Sequence, residues 1–140
     1  MPGTLVPDRT KVLINDVLAA AATYVGPETV VPRDVRSLSV QAKFVRAAGG
    51  TSCKVYLQTS FDGGVTWVDI ACLAFLTTTA TKISAVRPYI AMAAAYVPTD
   101  ATLTDDTIKD GLLGDRLRVK YVVVGTYSGA SSLTVTAIPN

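Results

Sequence analysis

The sequence predicts an all-β fold, an antiparallel β-sandwich or jelly roll of about eight strands. Three observations predict it. From Ser37 onward, apolar and polar residues alternate with a period of two, as they do in half-buried strands. The runs are rich in Val, Thr, Ile and Tyr and are separated by short clusters of Gly, Asp and Ser. The length of 140 residues fits a single domain spanning 1–140, and no internal repeat divides it.

The central part of the chain contains a clear succession of strands. Apolar positions alternate in residues 38–44 and again in residues 53–57. Asp62-Gly63-Gly64 closes a hairpin, because these residues tolerate the positive φ angles of tight turns. We expect the return strand to span residues 67–75, and a further strand rich in β-branched residues to lie within 77–86.

The C-terminal half continues this pattern after an irregular stretch. Residues 89–97 are small and apolar, and they predict either a strand or a short buried helix. Residues 98–114 are polar and turn-forming, with room for one or two helical turns from Thr104. Alternation returns in residues 117–123, and the last strand is expected at residues 133–138.

The N-terminal third is open to two interpretations. Apolar residues between Asp8 and Tyr24 recur with a period near 3.6, which indicates an amphipathic helix that ends before Gly26-Pro27. Residues 19–25 fit a strand equally well. We favour the strand, preceded by a loosely structured segment at residues 1–18.

The composition argues against an enzyme. The chain contains no histidine, which removes histidine-activated nucleophiles, the commonest general base and most zinc and iron sites. We therefore expect no catalytic residues, no cofactor and no bound metal. The two cysteines, Cys53 and Cys72, are too few for a disulfide framework, and we expect them to be small buried thiols.

The balance of charge and hydrophobicity predicts a protein partner. Apolar residues make up 49% of the chain and charged residues only 17%, and the net charge is +2. A charge this small does not indicate nucleic-acid binding, and no apolar run reaches the roughly 18 residues of a membrane span. The opening residues lack the basic and apolar stretches of a signal peptide. The apolar surplus therefore indicates association with protein, including self-association.

Residues 60–67 fit the Asp-box pattern Ser-x-Asp-x-Gly-x-Thr-Trp. We expect Asp62 to accept hydrogen bonds from turn amides, the glycines to supply the turn geometry and Trp67 to pack over the hairpin base. The residues of this predicted structural hairpin are Ser60, Asp62, Gly63, Gly64, Thr66 and Trp67. The alternative is a cation held by Asp62 and Asp69, to which the glycines would contribute no side-chain ligand.

A row of basic residues marks the strand at 117–123. Arg116, Arg118 and Lys120 alternate with apolar residues and therefore share one face of the sheet. One interpretation is a solvated face that discourages edge-to-edge aggregation. The other is a basic surface that binds an acidic partner.

Residues 55–71 resemble a hairpin found in small structural proteins of tailed bacteriophages and prophages. The surrounding sequence is also similar, with an Ala-rich opening, Leu38-Ser39-Val40-Gln41-Ala42 before the hairpin, and a Thr/Val-rich closing strand at residues 133–137. In size and strand pattern the chain resembles a capsid cement, or head decoration, protein of the jelly-roll type known from short-tailed phages.

This resemblance implies a partner and a place of action. The partner would be the major capsid protein, together with a second copy of this chain in a homodimer. The protein would be assembled in the host bacterial cytoplasm and would lie on the capsid exterior of the virion. A neck, tail or fibre component of a phage is an alternative, and a carbohydrate-binding β-sandwich module is an alternative of another class.

The segment between Tyr89 and Gly114 is the predicted contact with the capsid or a sister subunit. It is longer than a hairpin connection needs, and binding residues concentrate on loops that a rigid sheet supports. The alternative is that residues 89–97 form one more core strand, followed by a long connection without a binding role. The predicted partner-binding residues, with the basic row included, are Tyr89, Met92, Leu112, Leu113, Arg116, Arg118 and Lys120.

Overall fold

The computed structural model describes residues 10–140, which form eleven β-strands and no helix. In chain order the strands are β1 (Lys11–Val17), β2 (Ala22–Val25), β3 (Thr29–Val30), β4 (Leu38–Val45), β5 (Ala48–Gly49), β6 (Ser52–Ser60), β7 (Val68–Phe75), β8 (Ala80–Val86), β9 (Arg116–Val124), β10 (Tyr127–Ser128) and β11 (Ser132–Pro139). Within these residues no helix is present that could cross a membrane.

The strands form two antiparallel sheets that pack face to face. Sheet I has the order β1-β11-β4-β8, and sheet II has the order β2-β9-β6-β7, with β3 also paired to β9. The two-residue strands β5 and β10 form a small separate ladder. The predicted fold class, an all-β antiparallel sandwich, is confirmed.

The pairing of the eight longer strands is nested. The first pairs with the last (β1 with β11), the second with the seventh (β2 with β9), the third with the sixth (β4 with β8), and the fourth with the fifth (β6 with β7). The two Greek keys of a jelly roll produce pairing of this kind.

The core lies between the two sheets and is built by strict alternation. In β9 every second side chain is buried, and in β4 the same pattern places Phe44 against the opposite sheet. The Phe44 ring stacks on Phe75 of sheet II at 5.1 Å and meets the edge of Tyr127 at 5.6 Å. These contacts hold sheet I against sheet II and leave each strand with one outward face.

The N-terminal prediction needs correction. Lys11–Val17 is a strand of sheet I, so the expected loose structure is wrong for this part, and so is the alternative helix. Residues 1–9 of the expected loose segment lie outside the described residues. A β-bulge between Val12 and Ile14 explains the misleading pattern. The bulge buries the consecutive residues Leu13 and Ile14, and this breaks the period of two in a way that resembles a helix.

The connection from β8 to β9 also differs from expectation. Residues 89–97 form neither a strand nor a buried helix, since they run irregularly and residues 91–95 are exposed. The helical turns considered at Thr104 are absent, and turns occupy that position. Residues 96–110, which we call the covering segment, lie along the free edge of β7. The segment takes its conformation from sheet II, so its own sequence carries little periodic signal.

Candidate functional site

The Asp-box residues build one compact turn at the tip of the β6–β7 hairpin. Asp62 accepts hydrogen bonds from the N–H groups of Val65 (3.1 Å) and Thr66 (2.9 Å) and from the Thr66 hydroxyl (2.6 Å). The Ser60 hydroxyl donates to Asp62 (2.8 Å) and accepts from the Gly64 N–H (2.8 Å). These hydrogen bonds, those from Thr66 foremost, lower the pKa of Asp62 to about 2.

The glycines and the tryptophan complete this turn. Gly63 and Gly64 have φ angles of 72° and 96°, which residues with a side chain rarely adopt. The Trp67 indole N–H donates to the Gly64 carbonyl at 3.1 Å, and the Arg118 guanidinium lies 4.3 Å from the centre of the indole ring. Every polar contact of Asp62 in this turn is made within the hairpin, so the motif stabilises the hairpin's own turn.

The basic row on β9 is largely neutralised by the chain itself. Arg116 pairs with Glu28 at 3.4 Å and Lys120 with Asp100 at 2.8 Å. Arg118 donates to the Gln58 side-chain oxygen at 2.9 Å. The row lies on the outer face of sheet II, as alternation predicts. Its side chains form ion pairs and a hydrogen bond with neighbouring segments of the same chain.

Asp69 anchors the covering segment to sheet II. It is completely buried, and its two carboxylate oxygens accept hydrogen bonds from the N–H groups of Ala101 (2.9 Å), Thr102 (3.1 Å) and Leu103 (3.2 Å). The Gln58 amide donates to it as well, at 2.9 Å. The backbone of β7 adds further bonds to the segment, which therefore behaves as part of the sheet.

A second apolar cluster lies under the covering segment. Leu103 packs there against Tyr56 and Cys72 on the outer face of sheet II. The other thiol, Cys53, lies in the main core, and both cysteines are free and buried. Burial raises the pKa of Cys53 to about 12 and that of Cys72 to about 11, so neither thiol is poised to react as a thiolate.

The other predicted contact residues do not form one surface. Tyr89 is 68% exposed and Met92 is 39% exposed, both at the irregular start of the connection. Leu112 and Leu113 instead pack against the main core. Tyr89 and Met92 are thus accessible, whereas the two leucines and the basic row are already engaged within the subunit.

The structure reveals a candidate surface that sequence reasoning missed, the outer face of sheet I. Its outward positions follow from the strand register and from alternation with buried residues. They are Val12, Asn15 and Val17 on β1, Ser132, Thr134, Thr136 and Ile138 on β11, Ser39, Gln41, Lys43 and Val45 on β4, and Thr81, Ile83 and Ala85 on β8. Lys43 carries the one charge among them.

Large apolar side chains are exposed at both sides of this face. Val17 on β1 is 70% exposed and Ile83 on β8 is 69% exposed. Side chains alternate between the two faces of a strand, so the sequence alone identifies the outward positions of each of these four strands. It also shows that these positions are nearly all uncharged. The signal was missed because the four strands are far apart in the chain and their adjacency depends on the topology.

The tyrosines bear on the carbohydrate-binding alternative, which needs exposed rings on a common face. Tyr56, Tyr121 and Tyr127 are buried, and Tyr24 stacks on Tyr121 at 4.9 Å. Tyr96 is half-buried and donates its hydroxyl hydrogen to the Asp69 carbonyl at 2.9 Å. The tyrosines therefore serve mainly as packing residues.

Comparison of the chain with protein-family models, curated protein sequences and solved structures finds no match.

Proposed function

We propose that this protein is a structural virion protein, a capsid decoration protein that binds the major capsid protein on the outside of a phage head and stabilises the shell. The observation that carries the proposal is the outer face of sheet I, which has a single charged residue across four strands. The resemblance of residues 55–71 to hairpins of phage structural proteins supports it.

The charge-poor face has the composition of a protein interface. The centre of such interfaces is depleted in charged residues, because each buried charge must be desolvated. Val12, Val17 and Ile83 can be buried there at little cost, and the threonine and serine hydroxyls can find hydrogen-bond partners. Sheet II offers no comparable face, since its outer side carries the basic row and the covering segment.

The proposed mechanism is repetition of a modest contact. On an icosahedral shell the same contact recurs many times, and a subunit that touches two neighbouring capsid proteins links them. The rigid sandwich suits this role because its outward side chains are fixed by the strands beneath them.

The outer face of sheet I can be tested by placing one charge on it. Thr136 lies between Val12 and Gln41 in the middle of this face, so Thr136→Glu should abolish decoration of phage heads that lack the protein. The matched control is Thr23→Glu on the exposed side of sheet II, which should bind like the wild type. Decoration is measured by co-sedimentation with purified heads.

The same experiment separates the head from other virion positions. Saturation at a number of copies comparable with the number of capsid subunits supports decoration of the shell. Saturation at a single vertex, seen by labelling the bound protein, would instead assign a neck, tail or fibre role. Full decoration by Thr136→Glu would contradict the proposed binding face.

A further inference from the structure

Within residues 10–140, the outer edge of β8 has backbone groups without a hydrogen-bond partner. The Arg87 N–H donates to the Asp110 carboxylate at 2.8 Å, and its carbonyl accepts from the Gly111 N–H at 3.0 Å, so both groups point away from β4. In an antiparallel strand the direction of these groups alternates from residue to residue. The N–H and C=O groups of Ala85, Ile83 and Thr81 therefore point to the same free side, where nothing in residues 10–140 pairs with them.

The pairing of β4 gives an independent check of this direction. Ser37 exchanges hydrogen bonds with Asn140, on the β11 side, while the Arg46 N–H contacts the Thr79 hydroxyl on the β8 side. Odd-numbered residues of β4 therefore bond to β11 and even-numbered ones to β8. Since Val40 lies opposite Ser84, the even-numbered residues of β8 complete that ladder and the odd-numbered ones face outward.

The other three sheet edges are protected by recognised devices. The covering segment bonds to the edge of β7. The edge formed by β2 and β3 is short and is interrupted at Gly26-Pro27. β1 carries a bulge and bears Lys11 and Asp16. β8 by contrast has seven residues without a bulge or proline in its register, and Ile83 is exposed at its middle.

We propose that β8 pairs with β8 of a second copy of this chain, antiparallel, across a two-fold axis at Ile83. Ile83 would lie opposite Ile83 of the partner subunit, and Thr81 opposite the partner subunit's Ala85. The outward-pointing groups then meet in three hydrogen-bonded pairs, each exchanging two N–H···O bonds. The inference does not depend on the virion role.

The side chains at this edge favour a second copy as the occupant. The open positions Thr81, Ile83 and Ala85 are spaced evenly about Ile83. A two-fold axis at Ile83 therefore places each open position of one copy opposite an open position of the other. None of the three is charged, and no like charges would face each other. Lys82, the charged residue of β8, has its amino group held by Asp106 at 2.9 Å and by the Ala74 carbonyl at 2.6 Å. Pairing would join two copies of sheet I into one continuous eight-stranded sheet.

The first test removes the central hydrogen bonds. We expect the full chain to sediment as a dimer at tens of micromolar, and Ile83→Pro to weaken the dimer by roughly tenfold or more because the N–H at the axis is lost in both copies. Proline at this position removes no hydrogen bond to β4, and circular dichroism confirms folding. Ile83→Thr keeps the N–H and should still dimerise.

The second test addresses the two-fold register. Ile83→Lys and Ile83→Glu should each be monomeric, since like charges would meet at the axis, and an equimolar mixture should form the heterodimer. The matched control is the pair Val17→Lys and Val17→Glu at the opposite edge of sheet I, where the wild-type side chain is equally exposed. Both control variants should dimerise like the wild type.

The outcomes separate the alternatives. A wild-type chain that stays monomeric at these concentrations overturns the proposal, as does a dimer that Ile83→Pro leaves intact. Loss of dimers in the Val17 variants would place the contact on the sheet face and would also overturn it. A monomeric chain whose binding to phage heads is lost in Ile83→Pro but kept in Ile83→Thr would overturn the proposal and assign the edge to a strand of the capsid protein, because only the proline variant lacks the N–H.

Discussion

At the scale of single residues, Asp62 shows how a short motif can be structural. Its carboxylate replaces the missing backbone partners of the turn, and Thr66 contributes through both its N–H and its hydroxyl. The sequence pattern allowed this prediction because all partners lie within a few positions of each other. The same pattern could not predict the contact between Trp67 and Arg118, because these two residues are distant in the chain.

The lowered pKa of Asp62 predicts an acid dependence of stability. The carboxyl group titrates near 3.8 when unperturbed and at about 2 in the folded chain, so its contribution to stability is complete above about pH 5 and is lost progressively as the pH falls toward 2. Asp62→Asn should lower the melting temperature at pH 5 and flatten the loss of stability between pH 4 and 2. Asp105→Asn, which removes an exposed carboxylate of the covering segment away from the hairpin tip, is the control. An unchanged slope in Asp62→Asn would contradict the assignment.

At the scale of elements, the covering segment is held by one buried carboxylate. Asp69→Asn replaces an acceptor oxygen with a donor facing the N–H groups of residues 101–103, and should lower the free energy of unfolding by about 2–4 kcal/mol. It should also open the segment, since the amide cannot accept all three bonds. The control is Asp105→Asn, which removes an exposed ion pair with Lys54 and should have little effect.

Opening of the segment can be followed at Cys72. The thiol lies beneath Leu103, and its raised pKa and burial should make it inert to a thiol reagent at pH 8 in the wild-type chain. In a Cys53→Ala background, Asp69→Asn should make Cys72 react under native conditions. If Cys72 stayed inert, the segment would be held by contacts other than Asp69.

The elements differ in how well the sequence predicts them, and the reason is physical. β6 and β9 were predicted because one face of each meets the core and the other carries Lys54 or Lys120, which keeps the period visible. β1 was not predicted, because its bulge hides that period. The conformation of the covering segment depends on Asp69, which belongs to β7. A contact between residues so far apart in the chain leaves no pattern in the segment's own sequence.

At the scale of the whole molecule, the nested topology places the last strand inside sheet I. β11 lies between β1 and β4, so Val135 is buried and the neighbouring Thr134 faces outward. Val135→Asp should therefore prevent folding or cost more than about 4 kcal/mol, because an unpaired charge would enter the core. Thr134→Asp should leave the chain folded. Equal losses in urea titrations of the two variants would contradict the assigned faces.

The outer face of sheet I was not predicted for a related reason. Each strand alone has unremarkable outward residues, and only the order β1-β11-β4-β8 brings them together. The basic row could be predicted because all three of its residues lie in one strand. Its ion-pair partners Glu28 and Asp100 come from other parts of the chain and could not be predicted in this way. Surfaces assembled from distant segments require the topology before they can be recognised.

The internal position of β11 also sets an order of events during synthesis. A ribosome makes β1 and β4 long before β11, the strand that must lie between them. Sheet I therefore cannot close until β11 has been made, although β4 and β8 can already pair with each other. Slow closure of this kind is expected where the paired strands are far apart in sequence. The outer face of sheet I consequently takes shape only after β11 has been added, and a chain that lacks β11 cannot present this face.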